Sequence, residues 1–249
     1  MIEYQFVTTM NMGQYHAFGK NMITSMNAYL PDNACLDVYI DDCNDFEDLV
    51  AGSKINYIEF DLTNYNVFKF MARPNEKSIV TEQRNTAKYD SELMFKWDAT
   101  RFGYKVYALF EAIQQPKARH LVWIDADTKL TKKIDNDFLP SLLNEGDYMA
   151  YLARRLTHSE CGFLLWDTWH ESHYYFWNAM SGMYKGLQMF NEQEWHDSYI
   201  FDRVRLSLEN WAFVGNTKIH EIDRGHVWNE SRLKTEAGME HYKGPLDGK

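Results

Sequence analysis

The sequence predicts an α/β fold laid out as one domain over residues 1–249, on three observations. Short apolar, β-branched runs alternate with helical stretches, the order that builds a mostly parallel sheet with helices against it. The length of 249 residues suits one large domain. Apolar side chains make up 45% and aromatics 16%, enough to fill a core and to exclude wholesale disorder. No repeat, low-complexity tract or linker interrupts the pattern.

Each element follows from local signals. Tyr4 to Thr9 reads as a strand, and Gly13 marks the loop after it. A helix over about His16 to Tyr29 stops at Pro31-Asp32-Asn33, and Leu36 to Ile40 forms a second strand ending in Asp41-Asp42. A short helix near Phe46 to Ala51 and a strand from Ile55 to Phe60 follow. Residues 61–96, with Pro74 and Asn75-Glu76-Lys77-Ser78, read as a surface excursion. A helix from about Trp97 to Gln114 places Phe102, Val106, Leu109, Phe110 and Ile113 on one face, and Arg101 and Lys105 together on another. After Pro116, His120 to Ile124 is the clearest buried strand. Further strands are expected at Tyr148–Leu152 and Gly162–Trp166, with helices over Glu171–Tyr184 and from Asp197.

With 36 acidic and 26 basic side chains the net charge is −10, which disfavours a broad nucleic-acid grip but leaves room for a small anion pocket. Three widely spaced cysteines, Cys35, Cys43 and Cys161, form neither a CxxC pair nor a disulfide framework and point to a reducing compartment. No signal peptide or membrane-length apolar run is evident, so a cytoplasmic protein is expected. His158, His170, His173, His220 and His226 lack an HExxH-type spacing and are not read as a zinc site. No P-loop, dinucleotide fingerprint or G-x-S-x-G elbow occurs.

Two segments carry candidate chemistry. The strand His120–Ile124 runs into Asp125-Ala126-Asp127, two carboxylates at a strand's carboxyl end, where a divalent cation can share oxygens with substrate phosphates. Acidic residues are also common in turns, so the pair alone does not specify a metal. Near the end of the chain, Met239-Glu240-His241-Tyr242-Lys243-Gly244-Pro245 sets an imidazole and an ammonium beside a glycine that permits close backbone approach. A solvated polar terminus is the competing reading.

Taken together, these segments resemble the nucleotide-sugar glycosyltransferases of the GT-A fold. The chain is most similar to the group containing glycogenin and the bacterial lipopolysaccharide α-galactosyltransferases. That resemblance implies a Rossmann-like, mixed central sheet flanked by helices. It implies a metal, Mn²⁺ or Mg²⁺, held by Asp125, Asp127 and His241, with Ala126, Lys243 and Gly244 beside the donor diphosphate. Thr8, Thr9, Tyr15 and Asp41 would frame the nucleoside, and Arg101 and Lys105 would reach the diphosphate or sugar. Ser159-Glu160-Cys161-Gly162-Phe163 looks like the wall of the sugar pocket, and Trp195-His196-Asp197-Ser198 stands where the group has Asp-Gln-Asp. Asp197 and Glu160 are the implied catalytic carboxylates, although Asp197 also reads as an ordinary helix cap. Two departures are plain: Asp-Gln-Asp is absent, and Leu246-Asp247-Gly248-Lys249 replaces a terminal Lys-Pro-Trp.

The implied activity is transfer of a hexose from a nucleoside diphosphate sugar, a UDP-sugar first, to a hydroxyl acceptor with retention. The C-terminal segment is expected to order when the donor binds. A sugar-phosphate nucleotidyltransferase is the alternative, but its Gly-rich loop after the first strand is missing; a non-catalytic sugar-binding module is a third reading. Arg154-Arg155 is a weaker phosphate clamp candidate. The aromatic stripe of Trp166, Trp169, Tyr174, Tyr175, Phe176 and Trp177 reads as core or as an acceptor platform.

Overall fold

The computed structural model describes residues 2–43, 46, 49–84, 91–212 and 214–242, and the backbone alone of residues 80, 82–84 and 91–93. Among these residues, seven strands form one mixed sheet in the order β3-β2-β1-β4-β7-β6-β8. They are β1 (Tyr4–Asn11), β2 (Ala34–Asp41), β3 (Ile55–Glu59), β4 (His120–Ile124), β6 (Met149–Arg154), β7 (Glu160–Asp167) and β8 (Asn216–Ile222). A two-stranded ribbon of β5 (Thr128–Leu130) and β9 (Met239–His241) stands apart from it. Strands β3, β2, β1 and β4 run parallel, whereas β7 is antiparallel to both β4 and β6. Strand β8 is parallel to β6, so only β7 runs against the other six: the sheet is mostly parallel, as the alternation of elements predicts, and the reversed β7 makes it the mixed sheet implied by the resemblance.

Side-chain alternation along the strands feeds two apolar layers. On β1, Val7 joins the layer under the helices α3 (Thr63–Arg84), α4 (Ala99–Ala112), α5 (Ser172–Tyr184) and α6 (Asp197–Ala212). Tyr4, Phe6 and Met10 join the opposite layer, with Met22, Ile23 and Met26 of α2 (Lys20–Tyr29) and with Val227, Trp228 and Leu233. The last three come from the short helices α7 (Val227–Glu230) and α8 (Arg232–Thr235). Each large side chain buried this way contributes about 1.5–3 kcal/mol, which is what holds short strands together. Between β1 and α2 the chain stays helical, through α1 (Met12–Gln14) and a π-helical turn (Tyr15–Gly19), so Gly13 does not open a loop.

Residues 63–84 differ most from expectation. The predicted surface excursion is α3, with Pro74 inside it. Tyr65, Phe68 and Ala72 recur at helical spacing and are buried, while Pro74 is exposed. The packing of that face outweighs the one hydrogen bond a proline removes. Phe68 lies against Gly103, where a Cβ would stand 2.4 Å from its ring, so α3 and α4 approach through a glycine. The short helix expected at Phe46–Ala51 lies in part outside the described residues. No helix among the described residues is long and apolar enough to cross a membrane.

Candidate active site

β4 carries the chain through the sheet and releases it at Asp125, whose N–H donates to Gly162 O at 2.9 Å. Thr128 N–H closes the turn back onto Asp125 O at 3.0 Å, and the chain then pairs as β5 with β9. Thr128 stands opposite His241 in that ladder, and Tyr242 N–H donates to Asp127 O at 3.0 Å. Backbone pairing alone therefore delivers the distant His241 to the Asp125-Ala126-Asp127 turn. Trp228 backs the imidazole with ring centroids 4.8 Å apart, and its indole N–H is fixed on Met239 O at 2.9 Å.

His241 Nε2 lies 3.0 Å from Asp127 Oδ1 and 3.7 Å from Asp125 Oδ2. Neighbouring ligands of a six-coordinate ion with bonds of about 2.1 Å stand about 3 Å apart, so one divalent cation fits the trio. The other oxygen of Asp125 is already engaged: Trp123 Nε1 donates to Oδ1 at 2.7 Å and Lys105 Nζ at 3.1 Å, leaving Oδ2 for the ion. At Gly162 an added Cβ would stand 3.1 Å from His241 Cε1 and 3.2 Å from Asp125 Oδ2. Two carboxylates and one imidazole form a donor set that suits Mn²⁺, or Mg²⁺ when phosphate and water complete it. Burial opposes a charge on His241, but the Asp127 hydrogen bond and the carboxylates of Asp125, Asp127 and Glu160 raise its pKa above the usual imidazole value.

Lys105 lies beneath this trio. Its ammonium donates to Asp125 Oδ1 at 3.1 Å, to Asp197 Oδ2 at 3.0 Å and to the carbonyl of Cys161. Burial alone would lower its pKa; the two carboxylates raise it instead, so the ammonium stays charged. Asp197 is the first residue of α6 and accepts from Ser198 N–H at 2.8 Å, so it serves both as a helix-terminal acceptor and as a partner of Lys105.

The trio opens on a cavity of about 1450 Å³. Asp125, Asp127, His241, Asp197, Glu160 and Arg101 line it. Arg101 is exposed, Asp98 accepts its backbone N–H as the cap of α4, and its guanidinium makes no ion pair among the described residues. Arg154 lies 3.9 Å from Glu160 and donates to His158 O and Ser159 O; Arg155 points outward and pairs with Asp223. Thr128 Oγ1 is buried at the cavity wall with no partner among the described residues.

The remaining expected donor contacts lie elsewhere. Thr8 is fully buried, Thr9 donates to Tyr39 O, Tyr15 OH accepts from Val50 N–H, and Asp41 accepts from Tyr104 OH at 2.7 Å. None of these four, nor Ala126, lines the cavity. Instead one face of the helix after β1 does, with Phe18, Asn21, Met22, Ser25 and Tyr29. Lys243 and Gly244 lie outside the described residues. The aromatic stripe divides: Trp166, Phe176 and Trp177 are core, while Trp169, Tyr174 and Tyr175 are exposed and away from the cavity. His196, within the segment expected to line the site, does reach the cavity wall; sequence reasoning missed Glu194, Lys96 and Phe95 beside it, because nothing local marks those residues as neighbours.

No protein-family model matches the chain, and no curated protein matches it in sequence. Solved structures do match. Mouse xyloside xylosyltransferase 1 in its apo form aligns over 88% of this chain and 86% of its own, at 9% identity and a TM-score of 0.48. The galactosyltransferase LgtC, solved with donor and acceptor sugar analogues, aligns over 80% of this chain and 69% of its own, at 11% identity and a TM-score of 0.43. The bifunctional glycosyltransferase WbbM in its apo form aligns over 82% of this chain at 11% identity and a TM-score of 0.50; the alignment spans 37% of that protein. With its mixed seven-stranded sheet flanked by helices, the chain has the GT-A glycosyltransferase fold.

Proposed function

We propose that this chain is a metal-dependent glycosyltransferase that moves a hexose from a nucleoside diphosphate sugar, a UDP-sugar first, to a hydroxyl acceptor with retention. The observation that carries the reading is the convergence of Asp125, Asp127 and His241 at the mouth of a GT-A sheet, facing one large cavity. A divalent ion bound there supplies positive charge for the diphosphate oxygens as the leaving group departs.

The chain's own residues have separable roles in this reading. Arg101, exposed on the wall and free of ion pairs among the described residues, meets the diphosphate. Lys105 holds Asp125 and Asp197 in place and stays charged. Asp197 and Glu160 present carboxylates to the cavity, where negative charge stabilises an oxocarbenium-like sugar. Retention follows the resemblance carried by His241 and its neighbours, in which the departing diphosphate receives the acceptor proton and no separate protein base is needed. A membrane partner is not part of the proposal, and the net charge of −10 disfavours a nucleic-acid acceptor.

The test is a panel of nucleoside diphosphate sugars offered with and without Mn²⁺, read first as thermal stabilisation and then as release of the nucleoside diphosphate. Stabilisation by one donor that needs Mn²⁺, followed by turnover, supports the reading. Pyrophosphate release from a nucleoside triphosphate and a sugar phosphate would replace it with nucleotidyl transfer.

A further inference from the structure

The same cavity is lined at a second place by His158, Glu194 and His196, whose ligand atoms all lie within 4.8 Å of one another. We propose that this trio is a second metal site that takes a borderline transition ion, Zn²⁺ above all, and is separate from the trio of Asp125, Asp127 and His241.

The geometry is that of three corners around one ion. His196 Nε2 lies 2.9 Å and His158 Nε2 3.5 Å from the same oxygen, Glu194 Oε2. A tetrahedral zinc with bonds of about 2.0–2.1 Å sets its ligands about 3.3 Å apart. The two histidine–carboxylate separations straddle that value, and the third edge of the trio is no longer than 4.8 Å, so side-chain adjustment closes the three around one ion.

The surroundings fix the Glu194 carboxylate and set a second carboxylate near His158. Lys96 Nζ donates to Glu194 Oε1 at 2.6 Å, which fixes the carboxylate and leaves Oε2 turned to the imidazoles. Asp202 Oδ2 stands 3.9 Å from His158 Nδ1, on the side opposite the proposed ion. Asp202 is itself pinned by Ser159 N–H and Oγ at 2.8 and 2.7 Å and by Arg205 at 2.9 Å. Trp195 N–H donates to Lys96 O at 2.6 Å and clamps the Glu194-Trp195-His196 segment. His196 Nδ1 accepts from Tyr199 N–H at 3.4 Å; an ion on Nε2 requires the ring proton to move from Nε2 to Nδ1, which gives up this long contact.

The donor sets of the two trios separate their ions. Two imidazoles and one carboxylate favour Zn²⁺, whereas two carboxylates and one imidazole favour Mn²⁺ or Mg²⁺. Three protein ligands leave a fourth position facing the cavity, the arrangement of zinc sites that accept an external oxygen ligand.

The test counts bound metal and needs no turnover, so it stands or falls apart from the transferase reading. The chain carrying Asp127→Asn and His241→Ala is stripped with chelator, equilibrated with Zn²⁺ and passed through gel filtration. One zinc per chain is expected, with a Co²⁺ form showing the visible absorption of a tetrahedral site. Adding His158→Ala, or His158→Ala with His196→Ala, should abolish both signals while circular dichroism stays native. His158 is 31% exposed, so its replacement keeps the test valid if the double change fails to fold. A stripped protein that retains no zinc, or zinc retention that survives loss of His158, would overturn the second site and leave the trio as a hydrogen-bonded network.

Discussion

Asp125 and Asp197 share one ammonium group: Lys105 Nζ stands 3.1 Å from the first and 3.0 Å from the second. The first carboxylate belongs to the proposed metal site and the second begins α6, so a single side chain ties the turn after β4 to the start of α6, both on the cavity wall. Lys105 is 12% exposed, Asp197 13% and Asp125 31%, which makes this a largely desolvated pairing rather than a surface one.

Removing that ammonium takes the shared counter-charge from two facing carboxylates and leaves them only the neutral donors Trp123 Nε1 and Ser198 N–H. Lys105→Met should destabilise the fold by about 3 kcal/mol, a fall in Tm of roughly 10 °C, because an unpaired buried charge costs more than the pair contributes. Thermal and urea unfolding read the effect. A Tm within a degree of wild type would show that the carboxylates are solvated without Lys105.

Gly162→Ala tests the fit of the metal trio without touching a ligand. The new Cβ would press on His241 Cε1, Asp125 Oδ2 and Trp228 Cζ3 at 3.1–3.2 Å. Mn²⁺ affinity should drop about tenfold or more, the size of effect seen when a ligand's support is disturbed. Titration calorimetry measures it, with circular dichroism unchanged. Undiminished affinity would mean that the trio has room to spare.

Arg101→Ala separates binding from stability. The guanidinium is exposed and makes no ion pair among the described residues, so its loss should shift Tm by less than about 2 °C. Affinity for a nucleoside diphosphate with Mn²⁺ should fall at least tenfold, as expected on removal of a charge-assisted contact. Equal affinity in variant and wild type would move the diphosphate away from Arg101.

Acid sensitivity has a source outside the cavity. Burial in the first turn of α5, against Tyr148, pushes the His173 pKa down to about 4, against an opposing pull from Asp167, and its Nδ1 lies 3.3 Å from Tyr148 OH. A histidine depressed in the folded state must be protonated as the chain unfolds in acid. Its stabilising contribution is therefore complete above about pH 6.5 and is lost as pH falls toward 4, roughly 3 kcal/mol in all. His173→Phe should flatten the slope of stability against pH in that window, whatever its effect at neutral pH. An unchanged slope would assign the acid limb to other groups.

What the sequence made legible was local. β4 and its terminal carboxylates could be read because an apolar run ends abruptly in Asp125-Ala126-Asp127, and α4 because its apolar residues recur every three to four positions. α3 could not, because Pro74 reads as a breaker until the buried Tyr65, Phe68 and Ala72 face is seen against α4. Within the site, Asp125, Asp127 and His241 meet through the β5–β9 ladder, a pairing that no local pattern announces and that the family resemblance supplied. The partners of Lys105 and the grouping of His158 with Glu194 and His196 depend on the turn after β4, the loop between β6 and β7 and the segment leading into α6 converging from distant parts of the chain. The nucleoside contacts at Thr8, Thr9, Tyr15 and Asp41 came from the resemblance; Thr8 is buried and Asp41 accepts from Tyr104 OH, while the cavity beside β1 is lined by the helix that follows it, a face no local pattern singles out.

The central claim is that Asp127 and His241 hold one ion. Mn²⁺ titration in the presence of UDP, followed by the paramagnetic signal of free Mn²⁺, tests it on wild type, Asp127→Asn, His241→Ala and the double variant. A shared ion predicts that each single change weakens binding severely and that the double change adds little further, since either loss already breaks the site. Wild-type affinity in both single variants, with the fold intact, would contradict it.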